Sequence, residues 1–95
     1  MFQLTLHKTY YNMGFFNVTV DFDRYVGEEG PVKIILSDRQ ELAGYINRRA
    51  NQNGTARVMG GAELRDWFQA NFHVLDRVDV DLSKFDVIRL KGSRE

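Results

Sequence analysis

Apolar residues at every second position, in short runs, are what most constrains the fold of this chain. Phe2, Leu4 and Leu6 alternate with Gln3, Thr5 and His7; Phe16, Val18 and Val20 repeat the pattern; Val78, Val80 and Leu82 alternate with Asp79 and Asp81. Successive side chains on a strand point to opposite faces, so this period buries one face and wets the other. Val32-Lys33-Ile34-Ile35-Leu36 is a β-branched run. Leu42, Gly44 and Ile46 form another strand, in which Gly44 allows a bulge or a close backbone approach. Thr55 to Met59 and Phe85 to Leu90 complete a series of about six to seven short strands.

Turn signals separate these runs. Tyr10-Tyr11-Asn12-Met13-Gly14 breaks the first alternation, and Glu28-Glu29-Gly30-Pro31, Ser37-Asp38-Arg39-Gln40 and Leu75-Asp76-Arg77 read as turns. Residues 21–26 read as a short helical turn that Asp21 caps and Gly27 ends. One helix is expected, over 62–72 after Gly60-Gly61. Leu64, Trp67, Phe68 and Phe72 share one side of it, Arg65, Asp66 and Gln69 face away, and His73 is expected to cap its end. The expected fold is mainly β: a small antiparallel pseudobarrel with one main helix (62–72) and a helical turn (21–26). Closure protects the edges a small sheet would otherwise expose.

At 95 residues the chain fits a single domain, 1–95, with 91–95 expected as a frayed end or linker. A hydrophobic fraction of 43% with 13% aromatic residues excludes a disordered chain. Without cysteine there is neither a disulfide framework nor a thiolate metal site, and His7 and His73 lack metal-ligand spacing, so no metal or cofactor is expected. No apolar run approaches the roughly 18 residues of a membrane span, and the first residues do not read as a signal peptide. The expectation is a soluble, cytoplasmic protein.

Thirteen basic and thirteen acidic residues cancel. Their distribution is uneven: Arg48, Arg49, Arg57 and Arg65 face only Glu63 between Tyr45 and Arg65, while acids collect at Asp21/Asp23, Glu28/Glu29 and Asp76/Asp79/Asp81. A neutral chain with one basic patch steers a polyanion to one face. The segment Asn47 to Arg57 adds Asn51, Gln52, Asn53 and Thr55 to its arginines. Arginine forks match guanine O6/N7, and Asn or Gln matches adenine N6/N7. Asn53-Gly54 is equally a hairpin signal, so the same segment also reads as a solvated loop tip. A second polar connection, His7, Lys8, Thr9, Tyr10, Tyr11 and Asn12, joins the first two strands. Its tyrosines read either as rim packing or as part of a gripping arm. Asp21/Asp23 and Asp79/Asp81 have the two-residue spacing that puts paired carboxylates on one strand face for acid–base work; the latter alternate with apolar residues and read as a solvated strand face. No nucleophile context is present, and no catalysis is expected of this chain by itself.

In segment order the chain resembles the DNA-binding pseudobarrel of plant B-three transcription-factor domains and of the recognition domains of some type II restriction endonucleases. The residues that carry the resemblance are Gly14-Phe15-Phe16-Asn17-Val18 with Asp21-Phe22-Asp23-Arg24-Tyr25, then Gly61 to Asn71 followed by Leu75-Asp76-Arg77-Val78-Asp79-Val80. Leu75-Asp76 stands where the family commonly has Gly-Asp, and Thr19 where it often has proline. The resemblance implies two DNA-reading arms, here His7 to Asn12 and Asn47 to Arg57. It implies sequence-specific binding in the major groove of double-stranded DNA, with a catalytic domain or partner subunit elsewhere. A protein-interaction or effector-sensing barrel is the alternative.

Overall fold

The structure, a computed structural model, describes residues 2–37, 39–84 and 86–92. Its elements, in order, are β1 (Phe2–Thr5), α1 (Lys8–Met13), β2 (Phe15–Asn17), a 3-10 helix (Val20–Tyr25), β3 (Gly30–Ile35), β4 (Glu41–Asn47), β5 (Arg57–Met59), α2 (Gly61–Asn71), β6 (Arg77–Lys84) and β7 (Val87–Gly92). The seven strands form one sheet in the order β1-β6-β7-β3-β4-β5-β2.

The first two strands in sequence are therefore the two outermost in space. A flat sheet would hold them about 29 Å apart, at roughly 4.8 Å per strand. Between Thr5 and Phe15 there is α1, whose six residues span only about 9 Å, and a few extended residues. The sheet must curl to let that connection reach, and the result is a nearly closed barrel. All neighbours are antiparallel except β3 and β7, which pair in parallel from Lys33↔Val87 to Ile35↔Arg89. That parallel pair is the departure from the antiparallel expectation. It arises because β7 returns to the sheet beside a strand laid down some 50 positions earlier, through the α2–β6 excursion.

The alternation places the core as expected. Phe2, Leu4, Leu6, Phe16, Val18, Ile34, Leu42, Ile46, Val58, Val78, Val80 and Leu82 are buried. Val20 is not: it is 68% exposed, because the chain leaves the sheet after β2 and begins the 3-10 helix there. Gly44 faces inward between Leu42 and Ile46, and a Cβ on it would lie 2.5 Å from Ile34 Cδ1. The missing side chain is what lets β3 and β4 pack at that bend. Leu64, Trp67 and Phe68 of α2 are buried in the core, with Phe72 packed against it.

Other boundaries shift. The helical turn starts after Thr19 rather than at Asp21, and neither it nor α2 has a side-chain N-cap hydrogen bond. His73 does not cap α2. Phe72 is the C-cap, and the His73 amide donates to Asp76 Oδ2 at 2.8 Å. Leu75, at φ +75°, occupies the left-handed conformation that glycine favours, with its side chain 64% exposed. Lys91 and Gly92, expected to fray, extend β7 against Val78 and Asp79; residues 93–95 lie outside the described residues, as do Asp38 of the third turn and Phe85 at the expected start of the last strand. No helix is long and apolar enough to cross a membrane among the described residues.

Candidate nucleic-acid interface

The connection expected as the first arm is a helix. Tyr11 N donates to His7 O at 3.0 Å and Gly14 N to Tyr10 O at 2.9 Å, closing α1 in a left-handed Gly14 at φ +78°. Gly14 O then accepts from Gly60 N (2.9 Å) and Gly61 N (3.1 Å) at the start of α2. A Cβ at Gly14 would sit 2.1 Å from Gly61 O, so only glycine fits this three-way joint. Tyr11 reinforces it: its hydroxyl donates to Phe72 O at 3.2 Å, and Gln69 Nε2 donates to Tyr11 O at 3.1 Å. Tyr11 is thus a strut between helices. His7, Lys8, Thr9 and Asn12 remain exposed along α1.

The β4–β5 connection is held just as firmly. Arg48 reaches across to the 3-10 segment, where its Nε and Nη2 donate to Gly27 O (3.1 and 2.9 Å). Nη2 also donates to Val26 O (3.0 Å), and Nη1 to Asp23 (2.9 and 3.0 Å) and Gly54 O (3.1 Å). These acceptors match the five N–H donors of a guanidinium. The sequence offered Arg48 as part of a DNA-reading arm; its fork is occupied by contacts within the fold. Asp23 also accepts from Ala56 N at 2.8 Å, and Glu29 Oε1 accepts from Arg48 N at 3.1 Å. So two acids that the sequence placed apart from this loop sit against it.

The asparagines close the loop on itself. Asn47 Oδ1 accepts from Arg49 N (2.8 Å). Asn51 Nδ2 donates to Asn17 Oδ1 (3.1 Å) and Thr55 O (3.2 Å). Asn53 Oδ1 accepts from Thr55 N (3.2 Å) and from the Thr55 hydroxyl (2.8 Å), leaving Thr55 buried. Gln52 and Arg49 stay at the surface. Arg49 is 89% exposed and its Nε lies 3.4 Å from Glu29 Oε2, an exposed pair of little energetic weight.

What joins the two connections is the short edge strand β2. Its pairing with β5, and that of β5 with β4, sets two rows on the outer face of the barrel: Asn17–Arg57–Asn47 and Phe15–Met59–Tyr45. Tyr10 meets Phe15 edge-on at 5.5 Å, Arg57 stacks over Phe15 at 4.4 Å, and Arg57 Nε donates to Asn17 Oδ1 at 3.0 Å. Asn17 in turn holds Asn51. The contacts run unbroken from His7, edge-on to Tyr10 at 5.6 Å, to the tip of the arginine-rich loop. Asn17, Phe15, Tyr45 and Met59 belong to this face, and sequence reasoning did not single them out. Their signal is register: with β2 beside β5, outward residues of both fall in line.

Arg57 lies on this face; Lys8 on α1 and Arg49, beside Glu29, are exposed next to it in sequence, and Arg65 on α2 is paired to Asp66 at 3.0 Å. Among the described residues no three His, Asp or Glu side chains converge as a metal cage. The fold and face together define a small mixed-sheet barrel domain with a polar, arginine-bearing surface across its β2 edge. The chain matches no family model, no curated protein and no solved structure.

Proposed function

We propose that this domain binds double-stranded DNA, reading sequence in the major groove and without catalysis of its own. The observation that carries the reading is the continuous outer surface from α1 through Tyr10, Phe15, Arg57 and Asn17 to the 47–57 loop. The major groove is about 12 Å wide and admits a helix or a two-stranded ribbon. The β4–β5 ribbon with its loop is the inserting element, and α1 lies along the flanking backbone. Lys8 and Arg49 are exposed and suited to phosphates; Gln52 and Arg57 project polar groups toward base edges. Arg48, Tyr11 and Thr55 serve the shape of the surface rather than its contacts.

Titration of random duplex DNA at several salt concentrations tests the reading. With about two to three phosphates neutralised, log K against log salt falls with a slope of roughly −2 to −3. An affinity independent of salt, or no duplex binding, would leave the surface to another partner. The exposed neighbours Met59 and Tyr45, 38% and 44% exposed, then favour a protein-binding barrel.

A further inference from the structure

Arg57 differs from every other cation on the face. Arg48 has its fork consumed by the fold, Arg49 is exposed with its Nε beside Glu29, and Lys8 is exposed. The Arg57 guanidinium is held on two sides, by the Phe15 ring 4.4 Å beneath it and by Asn17 Oδ1, which takes its Nε hydrogen at 3.0 Å. Asn17 is itself fixed by Asn51 Nδ2 at 3.1 Å. Among the described residues no acceptor takes the Nη1 or Nη2 hydrogens of Arg57. The side chain is oriented before any ligand arrives, with its terminal pair of N–H donors free.

We propose that Arg57 is the specificity-determining residue of this face and that it reads guanine, with Asn17 and Phe15 as its positioning residues. The inference rests on the DNA-binding reading above. Guanine offers two adjacent acceptors, O6 and N7, to the major groove, and a pair of guanidinium N–H groups satisfies both. Adenine presents a donor at N6, which would oppose one of those N–H groups and leave both unpaired. A phosphate contact gains little from such fixing, because a diffuse charge is tolerant of angle; base reading requires the donor geometry to be preset. Asn51 and Asn53 use amide atoms to hold the loop itself, and among the described residues no hydrogen bond orients Gln52 in advance as Asn17 orients Arg57.

Selection from random duplex DNA, followed by titration of the selected site and of the same site with its guanine replaced, decides the matter. For the wild-type protein the selected sites carry one invariant guanine, and adenine or 7-deazaguanine in its place lowers affinity by about 5- to 150-fold. Arg57→Gln keeps a stem over Phe15 and removes the fork. It loses that discrimination, and its affinity for random duplex falls only by the share of one lost charge, far less than its affinity for the selected site. Asn17→Ala leaves the charge of Arg57 in place and removes the acceptor that orients it and Asn51, so the selected site loses more affinity than random duplex does. Equal guanine discrimination in wild type and Arg57→Gln overturns the assignment. Wild-type binding to random duplex with no selected guanine overturns it too, and leaves the DNA-binding reading intact. Absence of any duplex binding overturns both.

Discussion

Arg48 has a structural role that residue type alone does not disclose. Its five N–H donors are divided among Asp23, Val26 O, Gly27 O and Gly54 O, tying the 3-10 segment to the β4–β5 loop. Both side chains of the Arg48–Asp23 pair are only 25% exposed, so removing one leaves the other poorly hydrated. Arg48→Ala is expected to cost about 2–3 kcal/mol and to lower Tm by roughly 10–20 °C. Lysine does not rescue it, since an ammonium has three donors and no planar fork. Thermal melting followed by circular dichroism checks both variants. An unchanged Tm together with lost DNA affinity would return Arg48 to the interface. The sequence could not disclose this role, because most of its acceptors are backbone carbonyls, which leave no mark in residue identity. Arg57 shows the converse: its candidacy was legible in composition, but its partner Asn17 becomes visible only once β2 lies beside β5.

At the level of elements, period-two alternation identified the strands because one face of each is buried and the other wet. Leu4 and Val78, Ile34 and Leu42, and Ile46 and Val58 pair across strands with both members inside. The helix at 61–71 was legible for a similar reason: Leu64, Trp67, Phe68 and Phe72 fall at three- and four-residue steps across about two turns. The helix at 8–13 was not. Six residues are too few to establish a period, and none of them is fully buried. It forms through the Gly14 cap and its packing on α2, both tertiary facts. Trp67 tests how far α2 carries the barrel. Its ring is 5% exposed, meets Phe72 edge-on at 5.1 Å and lies 5.9 Å from Phe68. Trp67→Ala is expected to cost about 3–5 kcal/mol, a large share of the roughly 5–14 kcal/mol available to a domain of this size. Urea denaturation would show a midpoint shifted sharply down; a wild-type midpoint would mean that α2 is an accessory to an independently stable sheet.

On the scale of the whole molecule, the decisive fact is that strand order in space does not follow order in sequence. Phe2 pairs with Val80, and Lys33 pairs in parallel with Val87, so both ends of the chain complete sheets begun elsewhere. No local pattern encodes such partners, which is why the parallel pair escaped the sequence while the strands themselves did not. The same interleaving has a kinetic consequence. β1 gains its ladder only after about 75 intervening residues are ordered, and that loop-closure entropy must be met before the pairing contributes stability. No half of the chain holds a complete layer, so partial structures leave open edges and half-covered cores. Refolding is therefore expected to take milliseconds to seconds, in a single phase, rather than the microseconds of a helical bundle of similar length. Trp67 is the only tryptophan and is buried where α2 packs into the core, so its fluorescence reports the packed core, while far-ultraviolet circular dichroism reports the sheet and helices. The two signals should give superimposable unfolding curves, as a two-state domain requires. A fluorescence transition that precedes the loss of circular dichroism would show α2 leaving a sheet that remains folded, and the barrel would then be two cooperative units instead of one.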